Sequence, residues 1–184
     1  MPKVSDEHVE ARREQILDGA RRAFARHGYQ GATVARLERE IGLSRGAIFN
    51  YYPDKWSLFL ALVARDRHRF QEVLAREGLD GLLRQMTHEN PDWLGVYFEL
   101  AHQLRTNPDR RKDFEDATPE GVPRGVFESW QRDGVLRADV DVEALIQFYN
   151  LVVNGIALAR SLELGPDVDA MLELLHTGFD PPRQ

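Results

Sequence analysis

The sequence predicts an all-α protein, with a three-helix N-terminal helix-turn-helix head followed by a larger C-terminal helical body. Apolar residues recur at helical spacing along most of the chain, and no stretch sustains the alternation of a half-buried strand. Glycines and prolines punctuate it at helix-length intervals. With 184 residues, 42% hydrophobic and 29% charged, the chain can form one good core or a small domain joined to a medium one.

A first helix is predicted over Val9–His27, because Ile16, Ala20, Ala23 and Phe24 share one face and Gly28 suits a C-terminal cap. After a turn through Tyr29 and Gly31, Thr33 can cap a short helix that buries Val34, Leu37 and Ile41. Gly42 breaks it, Leu43 anchors the turn, and Ser44 caps a third helix carrying Ala47, Ile48, Phe49 and Tyr52 until Pro53 forbids continuation. Asp54 caps a fourth, reaching Arg76 with Phe59, Leu62, Val63 and Phe70 on its apolar stripe, and Gly78 stops it. Further helices are expected from Asp80 to His88, from Pro91 to Thr106, and from Asn107-Pro108 onward. Pro119, Gly121, Pro123 and Gly125 interrupt the next segment. Helix resumes over Val126–Arg132 and ends at Gly134. Asp141 caps a long helix Val142–Leu164, and Gly165-Pro166 separates it from a last one, Val168–Thr177.

The last two helices are unusually apolar. On the first, Leu145, Phe148, Val152 and Ile156 form one stripe, and Ile146, Val153, Ala157 and Leu164 form a second. One stripe suffices for the protomer's core. The second, with Met171, Leu172, Leu174 and Leu175, would be left exposed unless another chain covered it, which predicts a two-fold homodimer through a four-helix interface. Which stripe faces the partner is left open by the sequence.

Several function classes are disfavoured. The chain has no cysteine, so it has no disulfide, thiolate metal site or cysteine nucleophile, and a cytoplasmic location is expected. The polar N-terminus suggests no export signal. No apolar run approaches the ~20 residues that span a bilayer, so no membrane partner is expected. The six histidines are scattered without HxxxH spacing, so no metal or other cofactor is expected, and no GxSxG, Walker A or GxGxxG motif marks an enzyme. The net charge of −6 is uneven, with ten basic against eight acidic residues up to Lys55 and fourteen against twenty-two beyond it. A mildly basic head on an acidic body fits a DNA-binding head.

Two short helices joined by a Gly-containing turn, the second opening on a small polar cap, form a helix-turn-helix pattern between Thr33 and Tyr52. Arg45 and Lys55 each follow a cap, at helix N-termini where the dipole disfavours a cation by ~0.3–1 kcal/mol. DNA phosphates arriving there would relieve both conflicts.

Residues 16–60 resemble the tetracycline-repressor (TetR) family. The resemblance lies in Ala23-Phe24-Ala25-Arg26-His27-Gly28-Tyr29, then Gly31-Ala32-Thr33-Val34, then Gly42-Leu43-Ser44-Arg45-Gly46-Ala47-Ile48-Phe49-Asn50-Tyr51-Tyr52, and then Asp54-Lys55 with Leu58 and Phe59. It implies a dimer of nine or ten helices per chain that binds a double-stranded DNA operator. It further implies that Thr33, Ser44, Tyr51 and Lys55 hold phosphates while Arg45, Gly46, Ala47 and Asn50 face base edges. Arginine can pair with guanine, asparagine with adenine, and an alanine methyl can meet thymine. Arg36, on the preceding helix, is a further candidate for a phosphate or an edge base. Phe49 stands where many members carry a phosphate-binding tyrosine, and is expected in the core, as is Tyr52. Ser44 to Phe49, Gly78-Leu79, Asp92-Trp93-Leu94 and Gln103 to Thr106 also resemble the repressors of the aconitase gene. The C-terminal half is less similar, and with its Pro-interrupted segment and short last helix the resemblance does not carry over that subgroup's effector, such as a citrate–metal complex.

The expected boundary divides residues 1–53, the DNA-binding domain, from 54–184, the effector-binding and dimerisation domain. The family implies a small-molecule effector in the body. Trp93, Tyr97, His102, Trp130, Tyr149, Asn150 and Asn154 are candidate lining, the alternative for the aromatics being plain core packing; Asn150 and Asn154, polar at i, i+4 on an apolar helix, are favoured for the lining and equally suit pairing across the dimer. The alternative is a helical small-molecule-binding protein or enzyme in which the N-terminal helices are scaffold.

Overall fold

A computed structural model describes residues 6–118 and 123–179, apart from the side chains of Asp6, His102 and Phe179. The described residues form the helices α1 (Asp6–Gly31), α2 (Val34–Ile41), α3 (Arg45–Phe49), α4 (Lys55–His88), α5 (Pro91–Thr106), α6 (Pro108–Ala117), α7 (Arg124–Arg132), α8 (Val142–Ser161) and α9 (Val168–Phe179). The all-α class follows. The chain divides into two compact units, one made of residues 1–66 with 92–118, the other of residues 67–91 with 119–184. The division thus falls elsewhere than after residue 53, because the start of α4 and most of α5 and α6 pack with the head.

In the first unit, Ile16, Ala20, Ala23 and Phe24 of α1 meet Leu37, Ile41, Ile48, Leu58, Phe59, Leu62, Trp93, Val96 and Leu100 in one core. Docking of α1 on α2 is close enough to require Gly19, since a Cβ there would lie 2.5 Å from the Ile41 Cα. Polar groups of α1 finish the job. Gln15 Nε2 donates to the Ile41 carbonyl (3.2 Å) and Arg22 Nη2 to the Glu40 carbonyl (2.9 Å), satisfying acceptors that a helix end leaves open. The buried Asp66 carboxylate accepts from Trp93 Nε1 at 2.6 Å and from Arg21 Nη1 at 2.8 Å, so α1, α4 and α5 share one charged network. Phe59 lies within about 6 Å of Phe24, Tyr29, Trp56, Trp93 and Tyr97, ring centre to ring centre.

In the second unit, Phe127, Leu136, Val142, Leu145, Tyr149 and Ile156 are buried. The fourth and fifth predicted helices make up α4 on either side of Gly78, which breaks it at the expected place with φ 67° and ψ −162°. The Tyr149 hydroxyl donates to the Leu79 carbonyl beside that break (2.9 Å). Buried Glu89 accepts from Arg69 and Gln85.

The two expected stripes of α8 need correction. Ala157, 8% exposed, and Leu172, 4% exposed, belong to the protomer's own core and offer nothing to a partner. Ile146, Val153, Met171 and Leu175 are half-buried, while Leu164 and Leu174 are exposed. Phe148, assigned to the core stripe, is exposed instead, on a face continued by Leu151, Leu158 and Leu162. Tyr149, which neither stripe included, is buried and bonded to Leu79, and the inward line is Leu145–Tyr149–Ile156. The expectation that nothing is long enough to span a bilayer also fails by length and composition, since α8 is 20 residues with a mean hydropathy of 1.4 in its most apolar window.

Candidate nucleic-acid interface and ligand cavity

The head displays a short α3 over the turn Gly42–Ser44. Ser44, extended at φ −67° and ψ 155°, caps it by accepting from the Ala47 N–H (3.4 Å). The helix ends at Phe49 rather than Tyr52, although Asn50 keeps right-handed helical dihedrals at the C-cap. Ser44, Arg45, Gly46 and Asn50 are exposed, Ala47 is half-buried, and Ile48 is wholly inside. The Arg45 guanidinium lies 5.9 Å from the centre of the Phe49 ring, which packs on the core with its other side, as Tyr52 does. Among the described residues nothing requires a glycine at 46, since an added Cβ would have no neighbour within 4 Å.

Around this helix, Thr33 is extended and exposed and makes no side-chain bond to close α2. Arg36, also exposed, gives one guanidinium N–H to the Gly31 carbonyl (2.7 Å). Tyr51 is half-buried against the core. Lys55 is half-buried, its ammonium 2.9 Å from the Tyr29 carbonyl, 3.5 Å from the Gln30 carbonyl and 4.5 Å from the centre of the Tyr29 ring. Loss of water there lowers its pKa.

The two helix N-termini do not wait for DNA to supply an anion, contrary to the dipole argument. Glu38 Oε1 accepts from the Arg45 backbone N–H at 2.6 Å, and Asp54 Oδ1 accepts from the Ser57 N–H at 2.7 Å while Ser57 Oγ accepts from the Asp54 N–H. These carboxylates fix α3 and α4.

Sequence reasoning missed Glu99. From α5 its carboxylate accepts from the N–H groups of Tyr29 (2.8 Å) and Gln30 (3.1 Å), just before α2. Gly28, at φ 67°, makes room for it, for a Cβ there would sit 2.7 Å from Glu99 Oε2. On α6, Arg110 stacks over Trp56 (5.0 Å), and Trp56 Nε1 donates to Asp113 (3.0 Å). The Gly28-Tyr29 turn is visible in the sequence. Its partner, seventy residues on, carries no local signal.

The candidate effector residues do not converge. Trp93 and Tyr97 belong to the first unit's aromatic core, the His102 side chain lies outside the described residues, and Asn150 and Asn154 are exposed on α8, with Asn154 Nδ2 bonded to the Asn150 carbonyl (2.8 Å). Trp130 and Tyr149 do meet. They line a cavity of about 260 Å³ in the second unit, with Phe127, Leu145 and Phe148 among its walls and Glu77, Asp80 and His176 as its ionisable groups. Burial, and secondarily the Asp80 charge, raises the Tyr149 pKa well above the ordinary tyrosine value. Among the described residues no group of three or more His, Asp or Glu could hold a metal ion.

Residues 16–62 match the family described as bacterial regulatory proteins, tetR family. The HTH-type transcriptional repressor Rv1474c of Mycobacterium tuberculosis is 42% identical over 179 residues, 95% of each chain. The HTH-type transcriptional repressor AcnR of Corynebacterium diphtheriae is 42% identical over 180 residues, 95% of this chain and 93% of its own. Among solved structures, Salmonella enterica GusR aligns with a TM-score of 0.72 at 20% identity, over 96% of this chain and 98% of its own. A TetR transcription regulator from Haloarcula marismortui aligns with a TM-score of 0.70 at 22% identity, over 91% and 96%. These two likenesses concern the fold alone.

Proposed function

The chain belongs to the TetR family of bacterial regulatory proteins, and on that premise we propose that it is a cytoplasmic, dimeric repressor that a small-molecule effector releases from a pseudo-palindromic operator. Its regulon includes an aconitase gene, on the strength of the AcnR relatives and the sequence stretches shared with that subgroup. The observation that carries the reading is α3. Arg45 and Gly46 of α3 and Asn50 at its C-cap are exposed around a helix held by Ser44 and Glu38, and Gly46 costs the helix about 1 kcal/mol with no neighbour among the described residues. An external surface approaching closely explains that glycine.

Arg45, Gly46, Ala47 and Asn50 read base edges in the major groove, and Thr33, Ser44, Tyr51, Lys55 and Arg36 grip the backbone. An ammonium has three donors, so Lys55 can keep its bonds to the Tyr29 and Gln30 carbonyls and give the third to a phosphate. The second head is supplied by a partner docked on the exposed Phe148, Leu151, Leu158 and Leu162 face of α8, with Leu174. An effector that favours a head spacing mismatched to successive grooves lowers operator affinity by its differential affinity for the two states. The test is a shift assay at low salt with DNA from upstream of the aconitase gene and of the protein's own gene. A specific complex that an unrelated fragment of equal length does not compete away is expected. Equal retention of all fragments would refute sequence-specific repression.

A further inference from the structure

We propose that the cavity of the second unit is a binding site for an apolar organic cation, an aromatic or branched aliphatic amine whose hydrocarbon part fills the pocket and whose ammonium meets the carboxylates at its edge. Part of its wall is aromatic, supplied by Phe127, Trp130, Phe148 and Tyr149. Phe127 stands edge-on to Trp130 and to Tyr149, at 5.4 Å and 5.9 Å between ring centres. Such faces attract cations as well as apolar groups. The Tyr149 hydroxyl is committed to the Leu79 carbonyl, which leaves the ionisable groups to set polarity.

Those groups have one sign in excess. Glu77 and Asp80 flank the break at Gly78, and no lysine or arginine lines the cavity. Asp80 is paired with His176 Nε2 (2.9 Å), and Glu77 with Arg76 (3.0 Å), which is not part of the lining. Both carboxylates are half-exposed and already paired, so an ammonium meets the negative edge that Glu77 and Asp80 form, while a ligand carboxylate finds no cationic group in the lining other than His176. About 260 Å³ accommodates a bicyclic aromatic and not a chain of membrane-lipid length. The site stands on this geometry, and only its consequence for transcription rests on the repressor reading.

Two probes of matched shape and opposite charge test it by titration calorimetry on the full chain: naphthylmethylamine, cationic at neutral pH, and naphthoate. The amine is expected to bind at least ~10-fold more tightly than naphthoate, and Asp80→Asn to weaken the amine by about the same factor while leaving naphthoate unchanged or improved. Val135→Trp, at an exposed position on the cavity's lining, is expected to block the amine without altering thermal unfolding. Equal affinities for the two probes, no amine binding, or amine binding indifferent to Val135→Trp would each overturn the proposal. A parallel operator-shift assay separates the two readings. Amine binding that leaves DNA affinity unchanged supports the site and removes its role as effector, and loss of DNA binding altogether bears on the repressor alone.

Discussion

Arg45 and Lys55 each open a helix, yet their side chains are held differently, and substituting them should have different effects. The Arg45 guanidinium is exposed over Phe49 and makes no ion pair among those described, so Arg45→Ala should leave the fold intact and relax base preference at one operator position, by about 1–3 kcal/mol of discrimination. Lys55→Ala should instead weaken all DNA equally, flatten the salt dependence by ~0.9 in log–log slope, and lower the melting temperature slightly through the lost Tyr29 carbonyl contact. Binding isotherms at several salt concentrations on cognate and scrambled DNA check both; identical, sequence-blind losses would refute the division of roles. Tyr149 supplies a pH signature. Its pKa is raised above the ordinary 10.0, so the neutral phenol's contribution is complete below pH 10 and is lost as pH rises toward the folded-state value. Stability should therefore fall above about pH 10, with one tyrosine ionising only as the second unit opens, visible as phenolate absorbance concurrent with loss of helix. At this scale the α3 residues could be read from the sequence, since caps and exposure depend on neighbours one turn away. Glu38 and Glu99 could not, because their value comes from backbone N–H groups presented by other elements.

At the scale of elements, the entry to α2 is determined by a contact between distant segments. Gly28 and Glu99 act as one unit: the glycine takes a left-handed conformation, and its missing Cβ leaves the space that the carboxylate fills while capping Tyr29 and Gln30. Gly28→Ala should destabilise by about 1–2 kcal/mol from the backbone conformation alone, with a further cost from displaced Glu99. Glu99→Ala should cost about 1 kcal/mol, the carboxylate being largely exposed. The pair should be non-additive, since Glu99 supplies the three nearest atoms that the added methyl would meet, and denaturant unfolding of both singles and the double measures that coupling. Strict additivity would mean that the carboxylate does not occupy the space beside Gly28. Helix positions were legible because periodicity, caps and breakers are local. The early end of α3 was not: the helix stops at Phe49 while the chain turns through Tyr51 and Tyr52, whose rings pack on the core, whereas the break at Gly78 falls where the sequence puts it.

At the scale of the whole molecule, the apolar excess of α8 and α9 was visible in the sequence, but not which side would remain uncovered. Both stripes of α8 satisfy the same period, and the inward line runs through Tyr149, which neither included and which is bonded to Leu79. With the core taking Leu145, Tyr149, Ile156 and Ala157, the uncovered face centres on Leu151, 72% exposed, flanked by Phe148, Leu158 and Leu162. A two-fold partner would cover this face with its own copy, so a carboxylate placed there would face its symmetry mate or its neighbours in an apolar interface. Leu151→Glu is therefore expected to yield a monomer with unchanged helical content by circular dichroism, and to lose most operator affinity, because two linked heads bind DNA far more tightly than either alone. Ala157→Glu is the control that separates the stripes: it buries a charge in the protomer's own core and should unfold the chain rather than dissociate a dimer. Light scattering with far-ultraviolet dichroism on both variants decides the matter. A folded monomer from Ala157→Glu and an intact dimer from Leu151→Glu would return the interface to the Ile146–Val153–Ala157 side, and a wild-type chain that is monomeric at all concentrations would remove the dimer altogether.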